Sequence, residues 1–378
     1  MLVFISNYLN HHQFPLAKAL YSLTKGEYAF IEIEPMNERL KASGYPIFAE
    51  EPYIIKFWES EENRNRAIKI IENADCVVYD GIEYFPLIKE RLKRKKLTFE
   101  CGERWLKKGF FNILSPRLIK SQFYYHTFSY NKPLYQLCAS AFASSDYKKL
   151  LSYKNKCFKW GYFTDFQFIN INKIIEERKN NKKIKFISVG RLIDWKRHDL
   201  IVKAAALLQN KGFQFSVDIY GSGLYKEKLL SLIKKLGLGE TISLRGILHN
   251  KDILKELKKN DALLFTSNRK EGWGAVINEA MSNACPVIGS NEIGSVPFLI
   301  KDNENGLIFK SGNVKSLASK MERIITDQEL RERLSINAYN TIKEKWSPEI
   351  AASNLLKLIK NIQNNESSFI EEGPCSKA

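Results

Sequence analysis

Two glutamates, Glu271 and Glu279, bracket the stretch Glu-Gly-Trp-Gly-Ala-Val-Ile-Asn-Glu. Gly272 and Gly274 flank Trp273, and Val276, Ile277 and Ala280 behind them recur at helical spacing. The run before them, Ala262 to Thr266, is short, apolar and bounded by polar residues, as a buried strand is. Strand, two-glycine loop and helix start together receive anions, because backbone N–H groups and the positive end of the helix dipole point beyond the first turn. A carboxylate aimed at a phosphate would repel it. Glu271 and Glu279 are therefore expected to accept hydrogen bonds from neutral hydroxyls, such as those of a sugar.

Three further loops, each placed after an expected strand, carry residues suited to the same ligand. Gly190 and Arg191 are followed by Lys196. A guanidinium grips phosphate oxygens through two parallel bonds, and an ammonium one loop-width away adds a point charge to the same diphosphate. A basic surface loop is the plain alternative. Gly221-Ser222-Gly223 lets the backbone approach a ligand closely, or simply opens a helix. Gly246 and Ile247 offer backbone groups to a flat base edge, or form an ordinary turn.

The elements that position these loops alternate. Strands are expected at Leu2–Ser6, Tyr28–Ile33, Cys76–Tyr79, Leu97–Glu100, Leu134–Cys138 and Cys157–Tyr162. A second series follows at Ile184–Val189, Gln214–Tyr220, Ile242–Arg245, Ala262–Thr266, Val287–Gly289 and Gly306–Ile308, with helices between. Such alternation predicts two tandem Rossmann-like, doubly wound parallel sheets, an α/β fold whose ligands lie at the carboxyl ends of the strands. The first domain is expected over 1–165, joined by a final helix over 347–362, and the second over 166–346. The polar stretch 364–378 reads as disordered. The proline-punctuated excursion 36–57 and the linker 165–181 carry no clear signal.

With 378 residues the chain is long enough for two cores. It has no apolar run of membrane-spanning length. Its opening Met-Leu-Val-Phe-Ile-Ser lacks the basic start and cleavage site of a signal peptide, which suggests the cytoplasm. Six scattered cysteines without a CxxC pair argue against a disulfide framework and a zinc site, and His126, His198 and His249 have no metal-ligand spacing. The formal charge of +17 signals an anionic partner. It is unevenly spread: Met1 to Ile88 holds 8 Lys/Arg against 13 Asp/Glu, and Lys89 to Lys159 holds 17 against 4. That basic stretch interleaves Trp105, Phe110, Phe111, Phe123, Tyr124, Tyr125 and Phe128, a pattern suited to the headgroups of an anionic membrane or to a solvated face beside core aromatics.

Taken jointly, the loops over 184–310 resemble the donor-binding half of the family-4 retaining glycosyltransferases of GT-B fold. Gly190-Arg191 with Lys196, the two glutamates, Glu279-Ala280-Met281 followed by Pro286-Val287-Ile288, and Asn305-Gly306-Leu307 match in order and spacing. The resemblance implies a nucleotide-sugar donor in the second domain and a saccharide or lipid-linked acceptor at the first, across a cleft. It implies that Arg191 and Lys196 steady the departing diphosphate without a metal or other cofactor, that Glu271 holds sugar hydroxyls and Glu279 ribose hydroxyls, and that Gly272 to Gly274 offer N–H groups to the distal phosphate. Three departures stand out: Arg197 where the family often has glycine, Trp273 for the commoner phenylalanine, and Phe298 where a glutamate usually ends the Gly-Gly-x-Pro-Glu loop.

In the first half, His11 and His12 stand where that family has a glycine-rich loop, and Glu103 and Arg104 follow a strand end. All four are candidates for acceptor or phosphate contacts, with exposed histidines and a structural ion pair as the alternatives. The expected activity is sugar transfer to a lipid-linked or surface-polysaccharide acceptor at the inner membrane face. A sugar-nucleotide epimerase would consume donor without acceptor, and a phosphorylase would want a lysine-bound pyridoxal site, for which no motif is present. A non-catalytic sugar-nucleotide or nucleic-acid binding module is the remaining class. No nucleic-acid motif is present, and carboxylates in the main site would repel a polyphosphate backbone.

Overall fold

The computed structural model describes residues 1–37, 48, 50–366 and 370–378. The chain divides into two compact units, Met1–Asp165 with Lys345–Ala378, and Phe166–Glu344.

The first unit is built on a sheet of seven parallel strands, β1 (Leu2–Ser6), β2 (Tyr28–Glu32), β3 (Ile54–Lys56), β4 (Cys76–Asp80), β5 (Leu97–Gly102), β6 (Leu134–Cys138) and β7 (Cys157–Lys159), in the order β3-β2-β1-β4-β5-β6-β7. β1 is buried along its whole length, as a strand covered on both faces must be. Helices Phe14–Leu23 and Glu61–Asn73 begin this covering, the second capped by the Ser60 hydroxyl accepting from the Asn63 N–H. Helix Pro348–Gln363 returns from the far end of the chain to pack on Phe14–Leu23. β3 lies inside the excursion over 36–57, whose residues 38–47 and 49 fall outside the described residues.

The second unit holds six parallel strands, β8 (Ile184–Val189), β9 (Phe215–Tyr220), β10 (Ile242–Gly246), β11 (Ala262–Phe265), β12 (Val287–Ser290) and β13 (Leu307–Phe309), in the order β10-β9-β8-β11-β12-β13. Its core gathers Phe186, Leu200, Ile201, Ile219, Leu264 and Phe309, with helix His198–Asn210 contributing a full apolar face. The stretch 165–181, featureless in sequence, contains helix Ile171–Lys179, capped by Asn170.

A buried arginine ties together each unit. Arg91 donates to the carbonyls of Ile71, Ala74, Asp75 and Leu97 and to the Thr98 hydroxyl. Arg178 donates to the carbonyls of Lys258, Leu257 and Ala284 and to the Ser335 hydroxyl. A buried guanidinium is tolerated because all its N–H groups can be satisfied by carbonyls that lack helical partners.

The tail departs from its expected disorder. Residues 375–378 run antiparallel along β7: Cys375 N–H donates to Lys159 O at 2.7 Å, Ser376 O accepts from Lys159 N–H at 2.7 Å, and Ala378 N–H donates to Cys157 O at 3.2 Å. Composition pointed to a solvated tail, but the open edge of β7 offers unpaired backbone groups, and Cys375 gains full burial there. The aromatics of the basic stretch also divide. Tyr124 and Phe128 pack on Phe85, and Trp105 and Tyr125 join the core, while Phe110, Phe111 and Phe123 stay exposed. Among the described residues, no helix is long and apolar enough to cross a membrane.

Candidate functional site

β8 and β11 are neighbours in the second sheet although β9 and β10 lie between them in sequence. Strand order reverses there, and the loops that leave the two strands must diverge over a shared crevice. The loop after β8 carries Gly190, Arg191 and Lys196, and the loop after β11 carries Glu271 to Gly274. They are stitched by Thr266 Oγ1 donating to Lys196 O at 2.9 Å and by Asn268 N–H donating to Trp195 O at 3.0 Å.

Within this frame Lys196 Nζ donates to Glu271 Oε2 at 2.6 Å, and Ser267 Oγ donates to the same oxygen at 2.8 Å. Both side chains are nearly buried, at 13% and 11% exposure, so the attraction is little screened by solvent. Trp195 gathers the cations: the Arg191 guanidinium lies 5.6 Å and Lys196 Nζ 4.9 Å from its ring centroid. Lys196 thus lies between an indole and a carboxylate, while Arg191 stays exposed.

Glycines make the crowding possible. Gly221 has φ +141°, and a Cβ there would lie 1.9 Å from Gly190 O, so the loop after β9 rests directly on the loop after β8. Gly221 N–H in turn donates to Gly246 O at 2.7 Å, which brings in the loop after β10, where Ile247 is exposed. Gly274 has φ +83°, and a Cβ would lie 2.5 Å from the Phe265 ring.

Behind the glutamate loop, Glu279 lies buried on the short helix Val276–Ser282 and accepts from Asn250 Nδ2 at 2.8 Å. Burial pushes its carboxyl up to about 7, against the opposing effect of the Asn250 bond. Asn250 opens helix Asn250–Lys259 after the Gly246 turn. Sequence reading passed over Asn250, Ser267 and Trp195, none of which stands in a pattern that marks it.

Trp273, expected at the donor, is enclosed: 1% exposed, it donates from Nε1 to Asn278 Oδ1 at 2.8 Å, and its carbonyl accepts from Ser295 Oγ at 2.5 Å. Its side chain braces the loop from within, so among the Gly272 to Gly274 groups only backbone remains to meet a ligand. Phe298 stands 6.2 Å from it, centroid to centroid. Arg197 adopts a left-handed conformation, φ +56°, which explains why glycine suits this position. Its guanidinium is held by Asp199, at 2.9 and 3.2 Å, rather than left free for a ligand.

The first unit repeats the reversal of strand order between β1 and β4. His11 and His12 follow β1 with ring centroids 3.7 Å apart. Burial lowers them to about 4 and about 3, the second also through its neighbour's charge, so both are neutral imidazoles at pH 7. A small cavity of about 40 Å³ there is lined by His12, Asp80, Cys101 and Tyr162. Glu103 pairs with Lys107 and accepts from Tyr162 Oη at 3.0 Å. For Arg104 the structure shows the ion pair given above as the alternative. Its guanidinium is spent on buried Asp146, at 3.2 and 3.3 Å, with Asp146 also accepting from Leu106 N–H, so it positions the chain after β5.

Residues 170–341 match the family model of Glycosyl transferases group 1. The second unit belongs to that family. The chain is 26% identical over 200 residues to a poly(ribitol-phosphate) alpha-N-acetylglucosaminyltransferase of Staphylococcus aureus, covering 53% of this chain and 39% of that protein. It is 32% identical over 178 residues, 47% of each chain, to the N-acetylgalactosamine-N,N'-diacetylbacillosaminyl-diphospho-undecaprenol 4-alpha-N-acetylgalactosaminyltransferase of Campylobacter jejuni. It therefore spans half or less of the length of these relatives. In fold the likeness extends beyond the group 1 unit. A glycosyltransferase from Rickettsia africae aligns over 97% of this chain and 99% of its own, with TM-score 0.69 and 17% identity. Anabaena Alr3699/HepE, in complex with UDP and glucose, aligns over 95% and 99%, with TM-score 0.67 and 14% identity. Two parallel-sheet α/β units in tandem of GT-B class are the fold that the sequence predicted.

Proposed function

We propose that the protein is a retaining glycosyltransferase that moves a sugar from a nucleotide-sugar donor to a lipid-linked or surface-polysaccharide acceptor at the inner face of the cell membrane. The observation that carries this reading is that Lys196 bonds Glu271 between the neighbouring loops after β8 and β11, with Arg191 on the same indole as Lys196 and Glu279 on the helix that follows. Arg191 and Lys196 supply positive charge where a diphosphate becomes more negative as its bond to the sugar breaks. Glu271 accepts from sugar hydroxyls, Glu279 from ribose hydroxyls, and the loop N–H groups of Gly272 to Gly274 meet the distal phosphate. In this reading the cationic work is done by side chains, with no metal or other cofactor.

The relatives named above support the acceptor class, one acting on a poly(ribitol-phosphate) and the other on a diphospho-undecaprenol. Exposed Phe110, Phe111 and Phe123 beside Lys107, Lys108 and Lys120 support contact with an anionic membrane. A panel of nucleotide sugars, with acceptor, should show release of nucleoside diphosphate that survives EDTA and is lost in Arg191→Ala. Release that needs no acceptor would point instead to epimerase or hydrolase chemistry, and unchanged turnover in Arg191→Ala would refute the assignment.

A further inference from the structure

The first unit has a second concavity, remote from the strand carboxyl ends. A cavity of about 1110 Å³ opens at the amino ends of β6 and β7, with Leu134 and Cys157 in its wall. Four lysines line it: Lys148, Lys154, Lys156 and Lys377. Among the described residues that line it there is no aspartate or glutamate side chain. The lysines come from three places in the chain, a helix, the loop before β7 and the tail that covers β7's edge, so the fold rather than a local run assembles the charge.

Several features distinguish this cavity from a solvated basic face. Lys156 and Lys377 are anchored, Lys156 Nζ donating to Lys132 O at 2.7 Å and Lys377 Nζ to Asn155 O at 3.2 Å, and burial lowers the pKa of both. Keeping partly desolvated cations in the wall costs free energy that a bound anion would return. Ser129, in the cavity wall and 4% exposed, has an Oγ with no hydrogen-bond partner among the described residues. An unsatisfied buried hydroxyl costs about 1–3 kcal/mol.

From this geometry we infer that the cavity is a binding site for a phosphate group, separate from the sugar-transfer site, held by Lys148, Lys154, Lys156, Lys377 and the Ser129 hydroxyl. Two sources share that chemistry, a soluble phosphate ester and a phospholipid headgroup. Exposed Tyr130 and Leu151 at the rim would meet the apolar part of the second.

Cys157 lies in the wall and reports occupancy directly. Alkylation of the intact protein, located by mass spectrometry, should slow at Cys157 when inorganic phosphate replaces chloride at equal ionic strength, with Cys101 unaffected. With phosphate at about ten times its dissociation constant, the slowing should be about tenfold. Lys148→Glu with Lys154→Glu should abolish it, and Ser129→Ala should weaken it without loss of thermal stability. Protection by phosphatidylglycerol vesicles, absent with phosphatidylcholine, assigns the headgroup as source; protection by phosphate alone assigns a soluble ester. Equal alkylation in chloride, phosphate and both vesicles, or protection that survives the double charge reversal, overturns the proposal.

Discussion

The Lys196 ammonium sits 2.6 Å from Glu271, a residue delivered by a different strand, and both are nearly sealed from solvent. The pair holds the two loops in register before any ligand arrives, which is the preorganisation that electrostatic catalysis requires. Glu271→Gln should lower turnover by about 10²–10³ while the protein still folds, because the amide keeps the shape and can accept from Ser267. Lys196→Ala should be as damaging, and because the two side chains share a contact, the loss in the double variant should be smaller than the two single losses added together. Steady-state release of nucleoside diphosphate measures all three.

Glu279 gives a pH signature. Its carboxyl is raised to about 7, so it is protonated in much of the ligand-free protein at neutral pH. A hydroxyl donates better to the ionised form, so nucleotide affinity should climb as pH rises through about 7. The donor's own phosphates titrate nearby, so the decisive comparison is with Glu279→Gln, in which this part of the climb should vanish. Isothermal titration calorimetry between pH 6 and 8 would show it.

Glu100 affects stability instead. Buried beneath Tyr125 and Tyr153, which donate to it, its carboxyl is pushed up to about 8 by burial. The folded state therefore keeps a proton that the unfolded chain releases above about 4.5, and stability falls as pH rises from there to about 8, then levels. This group alone contributes a slope of up to about 1.4 kcal/mol per pH unit. Denaturant melts of Glu100→Gln, compared with the parent at each pH, should lack that component.

Gly221→Ala tests the contact between the loops after β8 and β9. A methyl group would be forced into Gly190 O, 1.9 Å from its ideal position, at a left-handed φ. Destabilisation by about 2–4 kcal/mol should accompany loss of donor binding. Gly212→Ala, also at positive φ but with nothing within 4 Å, should cost about 1 kcal/mol and leave binding alone.

Much of this was legible in the chain itself. Leu2–Ser6 was expected with the bounds it has, because a strand buried on both faces reads as an apolar run ended by polar residues. Ile54–Lys56 was not, since it buries only Ile55 and lies in a proline-broken stretch. Arg178 and Arg91 looked like surface charge: nothing in their neighbours reveals that the carbonyls they satisfy come from elsewhere in each unit. The grouping of Lys196 with Glu271 was inferred through resemblance, yet its cause is the adjacency of β8 and β11. Asn250 on Glu279 had no pattern to announce it, because a single polar contact between two helices leaves no periodic trace.

Phe298 lies 6.2 Å from Trp273, centroid to centroid, with the rings tilted by 53°, so two of the departures noted in the sequence meet at one contact. Grafting the usual glutamate at 298 would therefore also change what the Trp273 ring meets, and a smaller ring at 273 would change what Phe298 meets.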